Sequence, residues 1–229
     1  MATPIFSRIE QRSVPQEVVD LIRQAIVSGR LDFGQHLTEI SLSEQMSVSR
    51  IPIREALRQL EQEGLVTRFN NRGCFVVSFT DQDVREVFSL RATLEVMAVE
   101  WAVPRMNDAD IEHLRGMIGE QRAAVERQDY ETLAYLDMKF HEYICLKAQH
   151  SRLYKDWNAH HAQCQMLLNR RFRVFSDFIP EKVAENHTLL VDALARRDVP
   201  AAAELTRQFS ARVERECVEV LHLLQPQRT

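Results

Sequence analysis

Glycine placement is the feature that most constrains this 229-residue chain. Of its six glycines, Gly29, Gly34, Gly64 and Gly73 fall in the first third, Gly116 and Gly119 follow, and none comes later. The stretch without glycine keeps its apolar content, so it lacks the residue that most easily turns the chain sharply or cradles a phosphate, and it reads as packed helices. At 45% hydrophobic and 27% charged the composition is that of an ordinary globular protein, long enough for one large or two smaller domains.

The punctuated first third carries local signals for three helices and a hairpin. Pro15 opens a run with Val18, Val19, Ile22 and Ile26 on one face that stops at Gly29, the Pro-first, Gly-last order of a helix. A second helix spans about 39–46. After a tight break at Ser47 and Val48, Ser49 offers a cap to a third helix ending at Gly64, with Pro52 in its first turn and Ile53, Ala56, Leu57 and Leu60 as its buried stripe. The β-prone runs LVTRF and CFVVSF then flank Asn70, Asn71, Arg72 and Gly73. Three helices and a hairpin describe a winged helix-turn-helix.

Beyond Thr80 the pattern is helical throughout. Thr80 and Asp83 form a capping signal for a helix reaching Pro104, and further helices are expected at 107–127, 130–148, 151–174, 180–196 and 198–224, with Asn107, Asp129, Asp177 and Asp198 as cap or turn residues. The expected fold is therefore mainly α: a winged helix-turn-helix over residues 1–78 and an all-α antiparallel bundle of six helices over 79–229. The first dozen residues and the tail QPQRT read as disordered.

Bulk charge names no partner, since the net is −4 at a pI near 6.1. Residues 1–78, however, hold nine arginines, no lysine and nine acids, so the whole acidic excess lies after Ser78. The arginines of the first part are also placed away from acids: Arg50 and Arg54 start the third helix one turn apart, and Arg68 and Arg72 sit in the hairpin. A recognition helix presents its first turn to phosphates and base edges in this way, and a guanidinium pairs bidentately with guanine. A solvated face paired with Glu55, Glu61 and Glu63 is the competing reading. Four scattered cysteines without a CxxC pair, and no apolar leader or span, lead us to expect a reducing, cytoplasmic setting and no membrane partner.

The stretch AIVSGRLDFGQHLTEISLSEQMSVSRIPIREALRQLEQEGLVTRFNNRGCFV resembles the DNA-binding domain of the GntR family of bacterial transcription regulators, over residues 18–78. The resemblance implies that Ser49, Arg50, Ile51 and Arg54 enter the major groove and that Arg72 and Gly73 form the wing tip. Some members carry an arginine on the second helix where this chain has Ile40, so that contact is not expected. Residues 81–223 are similar to the all-helical FCD effector domain of the FadR subfamily, and a count of six helices looks like its shorter, VanR-type group.

In the segment DMKFHEYI, Asp137 and His141 are four residues apart on a face shared with Leu133, Phe140 and Ile144, and His187 lies on the apolar face of Val183, Leu190 and Leu194. One acid and two histidines suit Zn, Ni or Mn. The resemblance implies a further histidine at the position of Phe209, leaving three protein ligands; His160 or His161 are the substitutes, and helix phase turns only His161 toward Trp157, Cys164 and Leu168. The competing reading is a polar pocket in which Asp137 and His141 bond to one another and His187 is a satisfied core residue. Arg91 interrupts the stripe of Val84, Val87, Phe88, Leu94 and Ala98, and is either a clamp for an organic acid or an internal partner of Glu95 or Asp137. Arg171 is a second clamp candidate; otherwise Arg170, Arg171 and Arg173, with His160 and His161, read as solvated surface.

An enzyme is not expected. A di-iron bundle needs two ExxH pairs and only Glu219 to His222 is present, and there is no Walker loop, HExxH, GxSxG or dinucleotide fingerprint. The expected function is a homodimeric, ligand-responsive transcription regulator that reads a pseudo-palindromic double-stranded operator and takes a small organic acid as effector. A metal-free architectural DNA binder, with the bundle serving dimerisation only, is the alternative.

Overall fold

A computed structural model describes residues 14–70, 72–176 and 179–224. Asn71 of the expected hairpin, Asp177 as a turn residue, and the two chain ends expected to be disordered lie outside the described residues. Contacts divide the chain into two compact units, one built from residues up to 77 except 27–30, the other from 27–30 together with residues from 78 onward.

The first unit contains α1 (Val14–Val27), β1 (His36–Leu37), α2 (Glu39–Met46), α3 (Arg50–Gln62), β2 (Val66–Phe69) and β3 (Gly73–Val76). The helical stripes read from spacing are the buried ones: Val18, Val19, Ile22 and Ile26 on α1, and Ile53, Ala56, Leu57 and Leu60 on α3. Burying each of the larger of these side chains contributes about 1.5–3 kcal/mol before ordering costs. Between α2 and α3, Ser47 adopts the left-handed region (φ 54°), which makes the break. The three strands form an antiparallel sheet in the order β1-β3-β2. Strand β1 has two residues, too few to show periodicity, and was not expected. Gly73 sits opposite Phe69 with φ +98°, and a Cβ there would come within 2.5 Å of Nε2 of His36, whose ring stacks on Phe75.

The second unit is all α: α4 (Asp81–Ala102), a 3-10 turn (Val103–Arg105), α5 (Asp108–Glu126), α6 (Tyr130–Lys147), α7 (Ser151–Ala159), α8 (His161–Val174), α9 (Ile179–Ala195) and α10 (Val199–Leu224). Thr80 with Asp83 and Asn107 with Asp110 close full capping boxes, and Asp129 caps α6 through Thr132 N. Helix α10 packs along α4, α5 packs on α6 and α9, and α6 also packs on α4 and α8. None of the described helices is long and apolar enough to cross a membrane.

Two expectations are corrected here. The single helix over 151–174 is interrupted at His160 (φ −105°, ψ 0°), so the unit has seven α-helices among the described residues rather than six, and the helix count no longer supports the shorter group. On the two sides of the break, α7 packs on α4 and α6, and α8 on α6, α10 and α4. Arg170 and Arg171 are buried, not solvated, because α8 is enclosed by neighbours over most of its surface.

Candidate functional site

Two places bring sequence-expected residues together, one in each unit. In the first, Ser49 takes the N-cap conformation of α3 (φ −68°, ψ 165°), yet its side chain makes no cap hydrogen bond, and the first turn holds no acid to offset the positive end of the helix dipole. Arg50 is exposed and Ile51 is 66% exposed, an unusual setting for a large apolar side chain in a helix whose other apolar residues face inward. Arg72 and Gly73 are likewise exposed on the hairpin.

Arg54 is exposed but engaged. Its Nε and Nη2 donate to Oε1 and Oε2 of Glu39 on α2, at 2.9 and 2.8 Å. Of the acids named as competing partners, Glu63 accepts from Arg23 at 2.6 Å, while Glu61 lies 3.6 Å from Arg68 of the hairpin, as the competing reading had it for that arginine. Ile40 is exposed, so the second helix offers no cation at that position.

In the second unit, Asp137 and His141 on α6 and His187 on α9 face one small pocket of about 40 Å³, whose lining also includes Phe88 and Arg91 on α4, Arg171 on α8, and Phe209 and Ser210 on α10. One ligand atom from each of Asp137, His141 and His187 lies within 4.8 Å of the others. The atoms Nε2 of His187 and Oδ1 of Asp137 are 3.6 Å apart, a separation that two ligands each about 2.0–2.2 Å from one ion can take. Nδ1 of His141 stands 3.1 Å from Oε2 of Glu95, and Nδ1 of His187 is 2.8 Å from Oε1 of Gln121. Each imidazole thus has an oxygen outside the trio beside Nδ1, through a hydrogen bond for His187 and an ion-pair contact without hydrogen-bond geometry for His141. The His187 ring also stacks on Phe140 at 4.0 Å. Carboxylate, two imidazoles and a shared cavity fit a divalent cation of the Zn, Ni or Mn type.

The electrostatics rest on buried, compensated charges. Arg91 donates from Nε to Glu95 Oε1 at 2.7 Å and from Nη2 to Asp137 Oδ2 at 3.4 Å, which makes both halves of its internal-partner reading true at once. Burial works against the Arg91 charge, but Glu95 and Asp137 outweigh it and raise its pKa. Burial likewise pushes the Glu95 carboxyl up, and Arg91 and His141 more than reverse this, holding it below the usual carboxylate range. Asp137 is lowered in the same way, with His141 and Arg91 opposing burial. Burial depresses His187 to about 3, leaving it neutral at physiological pH. Arg171 is paired with Glu216, Nε to Oε2 at 2.6 Å.

His160 and His161 do not replace the missing ligand. His161 packs edge-on against Trp157, with ring centres 5.4 Å apart, and the clustered donor atoms among the described residues are those of Asp137, His141 and His187. Asp137 and His141 do not satisfy one another either, since His141 turns Nδ1 to Glu95. Phe209 lines the pocket where the resemblance implied a histidine. Three residues around the trio escaped the sequence reading as parts of the site. Glu95 was seen only as a partner of Arg91; Trp157, seen only as part of an apolar face, donates from Nε1 to Glu95 Oε1 at 3.0 Å; Gln121 was not singled out at all. The signal for Gln121 was present, because it continues the buried stripe of Ile111, Leu114 and Ile118 with a polar side chain.

Known proteins agree with this division. Residues 15–76 match the bacterial regulatory proteins of the gntR family, and residues 86–211 match the FCD domain. The gluconate operon transcriptional repressor of Bacillus licheniformis is 29% identical over 182 residues, spanning 77% of this chain and 74% of that protein. The HTH-type transcriptional repressor RspR of Escherichia coli (strain K12) is 26% identical over 196 residues, 85% of each chain. Among solved structures, E. coli McbR/YncC aligns with a TM-score of 0.75 at 22% identity, over 93% of this chain and 99% of that one, which supports the fold. With an FCD match across more than half of its length behind a gntR-type reading head, the chain belongs to the GntR family, as a ligand-responsive DNA-binding transcription regulator and not an enzyme.

Proposed function

We propose that this regulator is a homodimeric repressor. Its two reading heads engage a pseudo-palindromic operator through Ser49, Arg50, Ile51 and Arg54 in the major groove and Arg72 and Gly73 at the wing. Its bundle holds a divalent metal at Asp137, His141 and His187, which together with Arg91 and Arg171 receive a small organic acid. A two-fold pair of heads matches the symmetry of such an operator and doubles the phosphate contacts. Repression is favoured by the likeness to the two repressors described above.

The observation that carries the effector reading is the trio, Asp137 and His187 buried and His141 half-buried, inside a pocket with Arg91 at its wall. Arg91 offsets only one of the two carboxylates Glu95 and Asp137, and Arg171 with Glu216 is neutral as a pair. A divalent ion held by neutral imidazoles turns the local balance to a single positive charge, which one carboxylate ligand neutralises. Phe209, where a fourth protein ligand was expected, leaves coordination positions for that carboxylate. Ligand binding then shifts operator affinity through a coupling of about 1–3 kcal/mol.

The test combines three readouts on the full chain. Metal content of the purified protein is compared with that of His141→Ala. A thermal-shift panel of hydroxy acids, gluconate among them, is run with and without Zn(II), and a true effector raises the melting temperature by mass action. Gel shifts on operators selected from random duplex DNA then read the response of binding. Acids that leave both melting temperature and operator binding unmoved sink the effector reading and leave the bundle a dimerisation device.

A further inference from the structure

Gln121 supplies no atom to the trio, yet its hydrogen bonds decide which ring nitrogen His187 turns toward Asp137. The Gln121 side chain is fully buried on α5, and its amide is oriented at both ends: Nε2 donates to the carbonyl of Leu136 at 3.3 Å, so Oε1 is the atom left facing Nδ1 of His187 at 2.8 Å. An amide oxygen only accepts, so Nδ1 of His187 carries a hydrogen and Nε2 is the nitrogen directed at Asp137, 3.6 Å away. On the other side of the trio Glu95, held by Arg91 and by the Trp157 indole at Oε1, leaves Oε2 to face Nδ1 of His141 at 3.1 Å. That contact with an oxygen from a different helix lies at ion-pair distance without hydrogen-bond geometry, so His187 alone has its tautomer set by a hydrogen bond. The two rings meet edge to face with centres 5.1 Å apart, and the Phe140 face fixes the plane of His187.

We infer that Gln121 is a positioning residue for metal binding: it locks His187 in the tautomer and ring orientation that aim Nε2 at Asp137. This rests on the metal reading of the trio proposed above. The orientation of His187 depends on a single neutral hydrogen bond to an amide oxygen. Gln121 is therefore the position at which metal affinity is most separable from folding, since Glu95 also balances Arg91.

The full-length protein, stripped of metal with chelator, is examined first by long-range 1H–15N correlation of its imidazole nitrogens. The expected spectrum shows His187 with hydrogen on Nδ1 and a bare Nε2; hydrogen on Nε2 with a bare Nδ1 would overturn the inference. Co(II) titration, followed by its visible absorption, then compares the wild type with Gln121→Met, which keeps length and burial but removes the acceptor. The expected result is a 10- to 100-fold weaker Co(II) affinity in Gln121→Met. Gln121→Glu, which restores an oxygen acceptor, recovers binding to within a few-fold of wild type. Equal affinity in wild type and Gln121→Met overturns the positioning role, as does equal weakening in Gln121→Met and Gln121→Glu. A wild type that fails to bind Co(II) overturns the metal role while the nitrogen spectrum still reports the tautomer, so failure of the trio as a metal site and failure of Gln121 as its tautomer lock are told apart.

Discussion

At Arg54, the pair with Glu39 and any contact with a base draw on the same fork of N–H donors, so free and DNA-bound states compete for one guanidinium. Arg54→Ala is expected to lower affinity for the selected operator by roughly 10- to 100-fold while affecting random DNA far less, because a bidentate base contact carries discrimination. Gel shifts on matched and scrambled duplexes check this, and equal losses on both would assign Arg54 to the backbone instead. Gly73 meets a different constraint. Its φ of +98° and the His36 ring leave no room for a Cβ, so Gly73→Ala should cost about 1–2 kcal/mol in urea unfolding of the reading head. Phe209 offers the converse experiment: Phe209→His places an imidazole on the pocket wall where a fourth ligand was expected and should tighten Zn(II) binding, read by competition with a chromophoric chelator.

Elements were legible where periodicity and capping agree. The stripes of α1 and α3 and the caps of α4, α5 and α6 stand where spacing placed them, because a 3.6-residue period and a side chain bonding three residues ahead are local properties. Thr80→Ala should therefore cost about 1 kcal/mol, measured by thermal unfolding, since it removes the hydroxyl that accepts from Asp83 N while the Thr80 backbone N–H keeps its bond to the Asp83 carboxylate. Two elements were not legible. Strand β1 is two residues long and exists only through pairing with β3, a partner nearly 40 positions away. The break between α7 and α8 carries neither glycine nor proline, and the apolar spacing runs through His160 without a stop; it is imposed by what each half packs against.

Across the whole second unit, stability and function draw on the same buried charges. Arg91→Leu leaves Glu95 and Asp137 without their shared cation, at a cost of about 3–5 kcal/mol to the metal-free protein. Added Zn(II) should recover part of that loss, and a melting curve with and without the ion reads it. The pH dependence follows from the same groups. Burial holds His187 near 3 against 6.5 in the unfolded chain, so between those values unfolding takes up a proton and stability falls as pH drops through the window. Glu95 and Asp137, both held below the usual carboxylate range, add losses in the same direction below about pH 4. Urea midpoints of chelator-treated protein should decline steadily from pH 7 to pH 4.5, and His187→Gln should flatten that decline.

The amino-acid order by itself determined the two-part architecture, the reading head with Arg50, Arg54 and Arg72, and the inward aim of Arg91, Asp137, His141 and His187. Each of these follows from residues close in sequence, through turn punctuation, helical spacing or the placement of like charges. Only the tertiary structure decided what those inward side chains touch. Gln121 comes to His187 from 66 positions away and Glu95 to His141 from 46, and which ring nitrogen His187 turns toward Asp137 lies in the first of those contacts. Spacing along one helix states which face a side chain shares, whereas its tautomer is set by an atom on another helix.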